Sequence, residues 1–176
     1  MRNDPAAAAI SPPRWAWRSA AGDRRAFLLV FIIVVGLALR LYRLGAPSIW
    51  YDEGVSLFLA GQPLPAMLAH TAGDIHPPLY YALLHVWTRL AGNSEFAAGF
   101  FSLFCGILLI PLVYQLGRRI AGRDVGVLAA LLVAFSPYHI WYAQELRMYT
   151  LGAGLGLTAA LGLWEAIKGE RPARRG

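Results

Sequence analysis

The sequence predicts an all-α integral membrane protein with about four transmembrane helices and further interfacial helices in a large first outer loop. Three observations carry this reading. The first is composition. Of 176 residues, 57% are hydrophobic and 15% charged, with a mean hydropathy of +0.48, against roughly 45–50% and about 25% in soluble domains. The second is a set of apolar runs of spanning length. The third is the sorting of the cations between loops.

Residues 1–25 form a polar leader bearing Pro, Ala and Arg, expected to be disordered and cytoplasmic. It is long for a signal peptide, and no small-x-small cleavage site follows the apolar core, so a signal-anchor span is expected instead. A spanning helix needs about 20 mostly apolar residues. Residues 26–44 qualify, with Arg40 and Arg43 near their end. Residues 96–116 qualify without a charge. Residues 125–142 qualify but carry Ser136-Pro137, where a helix ends or kinks. Residues 149–167 qualify, and their glycines suit close helix packing. The lone cysteine, Cys105, lies inside an apolar run, so no internal disulfide forms.

Residues 78–91 are ambiguous by hydropathy. At about 1.5 Å per residue they reach only about 21 Å, short of a core of about 30 Å. Charge sorting decides. If this segment does not span, residues 1–25, 117–124 and 165–176 share one side with twelve of the 16 cations. If it spans, two basic loops move outside, against the positive-inside rule. The expectation is therefore four spans, both termini cytoplasmic, residues 168–176 a basic cytoplasmic tail, and 78–91 a helix on the outer interface. The net charge of +6 is then a topology signal rather than a patch for nucleic acid.

This topology gathers the unusual polar residues on the outer face, in the loop 45–95 and the turn near 136–148. Asp52-Glu53 follows the first span. A carboxylate there suits proton abstraction from a hydroxyl, with its neighbour orienting the site; the pair also suits the first turn of an interfacial helix. His76 precedes Pro77-Pro78. The prolines read as a helix start, which leaves Asp74 and His76 unexplained. Arg40 is either an anchor or a partner for an anionic headgroup. Tyr138, Trp141 and Tyr142 fit an aromatic belt, whereas Gln144, Glu145 and Arg147 are too polar for lipid and must face protein, water or ligand. No phosphate loop, zinc spacing or Gly-x-Ser-x-Gly elbow is present. Ionisable groups cluster at span ends rather than mid-span, which argues against a transporter.

In order, Arg40, "WYDEG" at 50–54, "HPPLYY" at 76–81, "SEFAAGFFSLFCG" at 94–106, "GRRIAG" at 117–122 and "SPYHIWYAQELRMYTL" at 136–151 resemble the N-terminal portion of a GT-C superfamily membrane glycosyltransferase. The branch is the protein O-mannosyltransferase-like one, and the resemblance covers roughly residues 26–165. It implies a multi-pass enzyme of the cytoplasmic membrane, active on its outer face. Such an enzyme moves a sugar from a polyprenyl-phosphate donor to a lipid, glycan or protein hydroxyl, with inversion. Asp52 would be the base and Glu53 its companion. Arg147, Arg40 and His76 would hold the donor phosphate. Tyr51, Gln144, Glu145 and Tyr149 would line the substrate pocket. A divalent cation, Mg or Mn, could sit on the acidic pair, though no ligand set compels it. Two departures from the family stand out: relatives carry many more spans, and many place an Arg where this chain has Ala98-Gly99. A truncated or non-catalytic subunit packing against a partner is the alternative expectation.

Overall fold

The computed structural model describes residues 14–46 and 48–169. It is all-helical: α1 (Arg14–Leu41), α2 (Tyr51–Gly61), α3 (Leu64–Ala72), α4 (Leu79–Ala91), α5 (Glu95–Ala121), α6 (Arg123–Phe135), α7 (Pro137–Gln144) and α8 (Tyr149–Gly169). Helix α5 is the hub, packing against α1, α4, α6, α7 and α8. Its two halves serve two cores. Ala98, Phe101 and Cys105 meet Leu59 and Ala60 of α2, Met67 of α3, and Tyr80, Tyr81 and Leu84 of α4. Further along, Ile110 meets Ile32 of α1 and Ala130 and Ala134 of α6.

Helices α5 and α8 are long and apolar enough to cross a membrane, and a third span results if α6 and α7 count as one bent crossing. Their axes differ by 58°. The break falls at Ser136-Pro137, where the sequence placed it: Pro137 begins α7, and Ser136 Oγ accepts from His139 N–H at 3.4 Å. Helix α1 falls short because Arg24, Arg25 and Arg40 leave only residues 26–39 free of charge. It begins at Arg14, so residues 14–25 are helical where the sequence predicted disorder. Residues 1–13 of the leader and 170–176 of the tail lie outside the described residues. Helix α4 is 13 residues long, too short to cross a membrane.

Two ion pairs fasten one end of the bundle. Arg25 Nη2 lies 3.0 Å from Asp124 Oδ1, and Arg119 Nε lies 3.1 Å from Glu165 Oε1. They bring Arg25 of α1, the α5–α6 turn and the end of α8 together, the segments that charge sorting assigned to one side. Gly122 makes that turn possible: its φ of +97° is a conformation other residues rarely adopt.

Where α5 and α6 pack, backbones nearly touch. A Cβ on Gly126 would lie 2.7 Å from Tyr114 O and 3.0 Å from Arg118 N. These are backbone atoms of a packed helix and have nowhere to go. Gly126→Ala is expected to destabilise the fold by about 1–3 kcal/mol, read as a lower unfolding midpoint in detergent. An unchanged midpoint would mean that the helices separate without cost.

Candidate active site

At the end of the bundle opposite the two ion pairs, the outer loop folds back over the α7–α8 turn. Asp52 and Glu53 occupy the first turn of α2, where the helix dipole favours negative charge. Glu53 Oε2 accepts from Trp50 N–H at 3.3 Å, and Oε1 accepts from Leu146 N–H at 2.8 Å. One carboxylate thus caps its own helix and clamps a turn 93 residues away in sequence. Gln144 secures the same turn from the other side, its Nε2 donating to Arg40 O at 3.0 Å and Tyr42 O at 2.8 Å.

Between these clamps sits Arg147, only 6% exposed. Its Nη1 donates to Asp52 O at 3.2 Å, and its Nη2 lies 3.8 Å from Asp52 Oδ2. The same Nη2 lies 3.3 Å from His76 Nε2. The guanidinium stands 5.8 Å from the Tyr149 ring centre, within cation–π range. Its Nε is buried without a hydrogen-bond partner among the described residues. Three separate segments, 52–53, 76 and 147, therefore converge on one buried cation.

A buried polar chain fixes the Arg147 backbone. Ser102 Oγ donates to Arg147 O at 3.3 Å, so the 2.9 Å contact between Tyr80 and Ser102 has the phenol as donor. Thr150 Oγ1 donates to Ser102 O at 2.9 Å. Burial pushes the Tyr80 phenol well above its ordinary range, outweighing the opposing bond to Ser102, and burial likewise raises Tyr81. Tyr80 is thus a proton donor at all physiological pH. Asp74, more exposed, accepts from His76 Nδ1 at 3.0 Å and from Ile75 N–H at 2.7 Å. These two bonds, the imidazole's first, hold its carboxyl below the usual carboxylate range.

Arg40 is not part of this cluster. It is fully buried, with Nη1 donating to Gly36 O and Ala134 O and Nη2 to Val133 O, all within 3.1 Å. The expectation that it holds a donor phosphate is corrected: its Nη donors are taken by Gly36 O of α1 and by the carbonyls at the end of α6, left open where Ser136-Pro137 ends that helix. The expected pocket residues divide. Tyr149 flanks Arg147. Glu145 Oε1 accepts from Trp141 Nε1 at 2.6 Å and lines a cleft of about 390 Å³ with Ser48, Trp50, Glu53, Trp141 and Gln144. Tyr51 lines the neighbouring cleft with Trp50 and Phe58. Gly99 is buried beside Leu44, and Ala98 lies in the core with Leu59, Tyr80 and Phe101.

Tyr80, Ser102 and Thr150 join the site unannounced by any sequence motif of their own, and Asp74 gains a partner in His76. Ser102 carried a usable signal, being a hydroxyl in an otherwise apolar span. No group of three or more His, Cys, Asp or Glu side chains converges among the described residues. The acidic pair is a poor fit for a cation, because both Glu53 oxygens face N–H groups and Asp52 Oδ2 faces Arg147.

An all-helical membrane protein with a polar, cation-centred site at one end of its bundle is the class this architecture defines. The family model for dolichyl-phosphate-mannose-protein mannosyltransferase matches residues 75–172, more than half of the chain, and the chain belongs to that family of GT-C glycosyltransferases. The matched region includes His76 and Arg147 and begins after Asp52-Glu53. An uncharacterized protein of Aquifex aeolicus (strain VF5) is 28% identical over 118 residues, covering 62% of this chain and 23% of that protein. The chain therefore spans about a quarter of the length of this relative. No solved structure matches it significantly.

Proposed function

We propose that the protein containing this chain transfers a sugar from a polyprenyl-phosphate donor to an acceptor hydroxyl on the outer face of the cytoplasmic membrane, with inversion. The observation that carries this reading is the convergence of Asp52, His76 and Arg147. A guanidinium held in place by the Asp52 carbonyl and His76 suits the charge of a phosphate, and a carboxylate 3.8 Å from it suits the base for an attacking hydroxyl.

In the proposed step the Asp52 carboxylate takes the acceptor hydroxyl proton while that oxygen attacks the anomeric carbon from the face opposite the phosphate. The bond between anomeric carbon and phosphate oxygen breaks, and its electrons leave with the polyprenyl phosphate. The added negative charge falls beside Arg147, which stabilises it most as the bond breaks. Glu53 positions both partners by clamping α2 to the α7–α8 turn. The lipid tail remains in the bilayer while its headgroup reaches the bundle end, which is why the site belongs at the ends of spans. Four spans fit this reading, with α1 crossing because the Arg40 charge is sheltered by carbonyls, and with both termini cytoplasmic.

The experiment is transfer of labelled sugar from a polyprenyl-phosphate donor by membranes holding the full-length protein, with Asp52→Asn as control. No transfer to any lipid, glycan or protein acceptor by the native protein would sink the proposal. Arg147→Lys keeps a charge but loses the fork that meets phosphate. It is expected to raise the donor KM about tenfold, by the loss of roughly one charge-assisted hydrogen bond; an unchanged KM would place the phosphate elsewhere.

One observation favours a second reading, a non-catalytic subunit that packs against a partner. Helix α8 is buried over only 11% of its apolar window, leaving a face for another protein segment. Co-purification with a larger membrane protein, and no transfer without it, would support that reading over the first.

A further inference from the structure

We propose that Asp74 is a positioning residue, one that fixes His76 as its Nδ1–H tautomer and so orients Arg147 for the donor phosphate. The second half of this inference rests on the function proposed above; the first rests on geometry alone.

An arginine has donors and no acceptor. At 3.3 Å from Arg147 Nη2, His76 Nε2 must therefore be the acceptor, and the ring's single proton lies on Nδ1. That proton needs a partner, and Asp74 Oδ2 lies 3.0 Å away. Asp74 is itself held by Ile75 N–H on its other oxygen. The alternative tautomer would set an N–H against an N–H at Arg147 and leave Asp74 facing a bare nitrogen. A protonated ring would add a second cation at the same place. The neutral Nδ1–H form is the one that both neighbours accept, and Asp74 selects it by remaining ionised.

The groups around this dyad come from several elements. Arg147 reaches it from the α7–α8 turn, and Asp52 of α2 shares the same guanidinium nitrogen. Tyr81 of α4 and His70 of α3 lie near enough to interact electrostatically with Asp74. Arg147 Nη2 is thus held between an imidazole and a carboxylate, which sets the plane of the guanidinium toward the donor phosphate. A carboxylate that orients a histidine, which in turn orients the working group, follows the logic of layered support around binding centres.

The test uses the full-length protein with ¹⁵N-labelled histidine, the His76 signals being identified by their loss in His76→Gln. The resting protein is expected to show the Nδ1–H tautomer, and Asp74→Ala to shift His76 toward Nε2–H. In transfer assays Asp74→Ala is expected to raise the KM for polyprenyl-phosphate sugar about tenfold, as loss of an ionic hydrogen bond implies. Its kcat should stay within about threefold, marking an effect on binding. Asp74→Asn keeps an acceptor oxygen and should recover most of the KM. An Nε2–H tautomer in the native protein overturns the proposal. So does Asp74→Ala with altered stability but native tautomer and KM, which would mean that Asp74 only caps its loop. If the native protein shows the Nδ1–H tautomer and Asp74→Ala the shift, but the native protein transfers no sugar, the function proposed above fails while the role of Asp74 toward His76 stands.

Discussion

Asp52→Asn is expected to lower sugar transfer about a thousandfold, within the range of about 10²–10⁴ that a positioned general base supplies. The substitution is nearly isosteric and removes only the group able to take a proton. The fold should tolerate it. The shorter link between Asp52 and Arg147 runs from the guanidinium to the Asp52 backbone carbonyl at 3.2 Å, whereas the side-chain oxygen lies at 3.8 Å, so the α2–turn junction survives. Glu53, which carries the clamp to Leu146, is untouched. Native and variant proteins are expected to unfold at the same temperature and to differ only in the rate at saturating donor. Retention of more than about a tenth of the native rate would remove Asp52 from the chemistry, because an amide cannot act as the base.

Arg40→Leu is expected to cost about 3 kcal/mol of stability without changing the donor KM. The leucine leaves Val133 O and Ala134 O without donors at the end of α6, each orphaned buried group costing about 1–3 kcal/mol. For a chain of this size that corresponds to a fall in unfolding temperature of about 6–12 °C. The measurement separates two roles for one residue. A phosphate ligand would raise the donor KM and spare the unfolding temperature. A brace between α1 and α6 does the reverse, and its loss appears as less folded protein with native kinetics in the fraction that folds.

Much of the architecture was legible because it follows from short-range physics. Span-length apolar runs needed no partner to be recognised, and Pro137 marked the bend because proline removes a donor and restricts the residue before it. Charge sorting places in one group the basic segments that Arg25–Asp124 and Arg119–Glu165 join. The start of α1 was misjudged because composition speaks to burial and says little about whether a polar, alanine-bearing stretch continues a helix already nucleated downstream. The site was legible in part for the same reason. Charged groups near lipid are costly, so Asp52, Glu53, His76 and Arg147 were conspicuous in a chain that is otherwise apolar.

What only the tertiary structure decided is which conspicuous charges meet. Arg40 and Arg147 looked alike in sequence, both arginines near the end of an apolar run. Packing gave Arg40 to the open carbonyls of α6 and gave Arg147 to Asp52 and His76. Glu53, expected to orient the site beside Asp52, is a clamp between α2 and the α7–α8 turn. Asp74 became the orienting partner of His76, and Ser102 and Tyr80 became the support of the Arg147 backbone. The sequence by itself determined a helical membrane protein with a polar cluster at one end, because hydropathy and charge act residue by residue. Apart from the local Asp74–His76 pair, partnership among those polar groups depends on contacts between residues 22 to 95 positions apart, and such contacts exist only once the helices have packed.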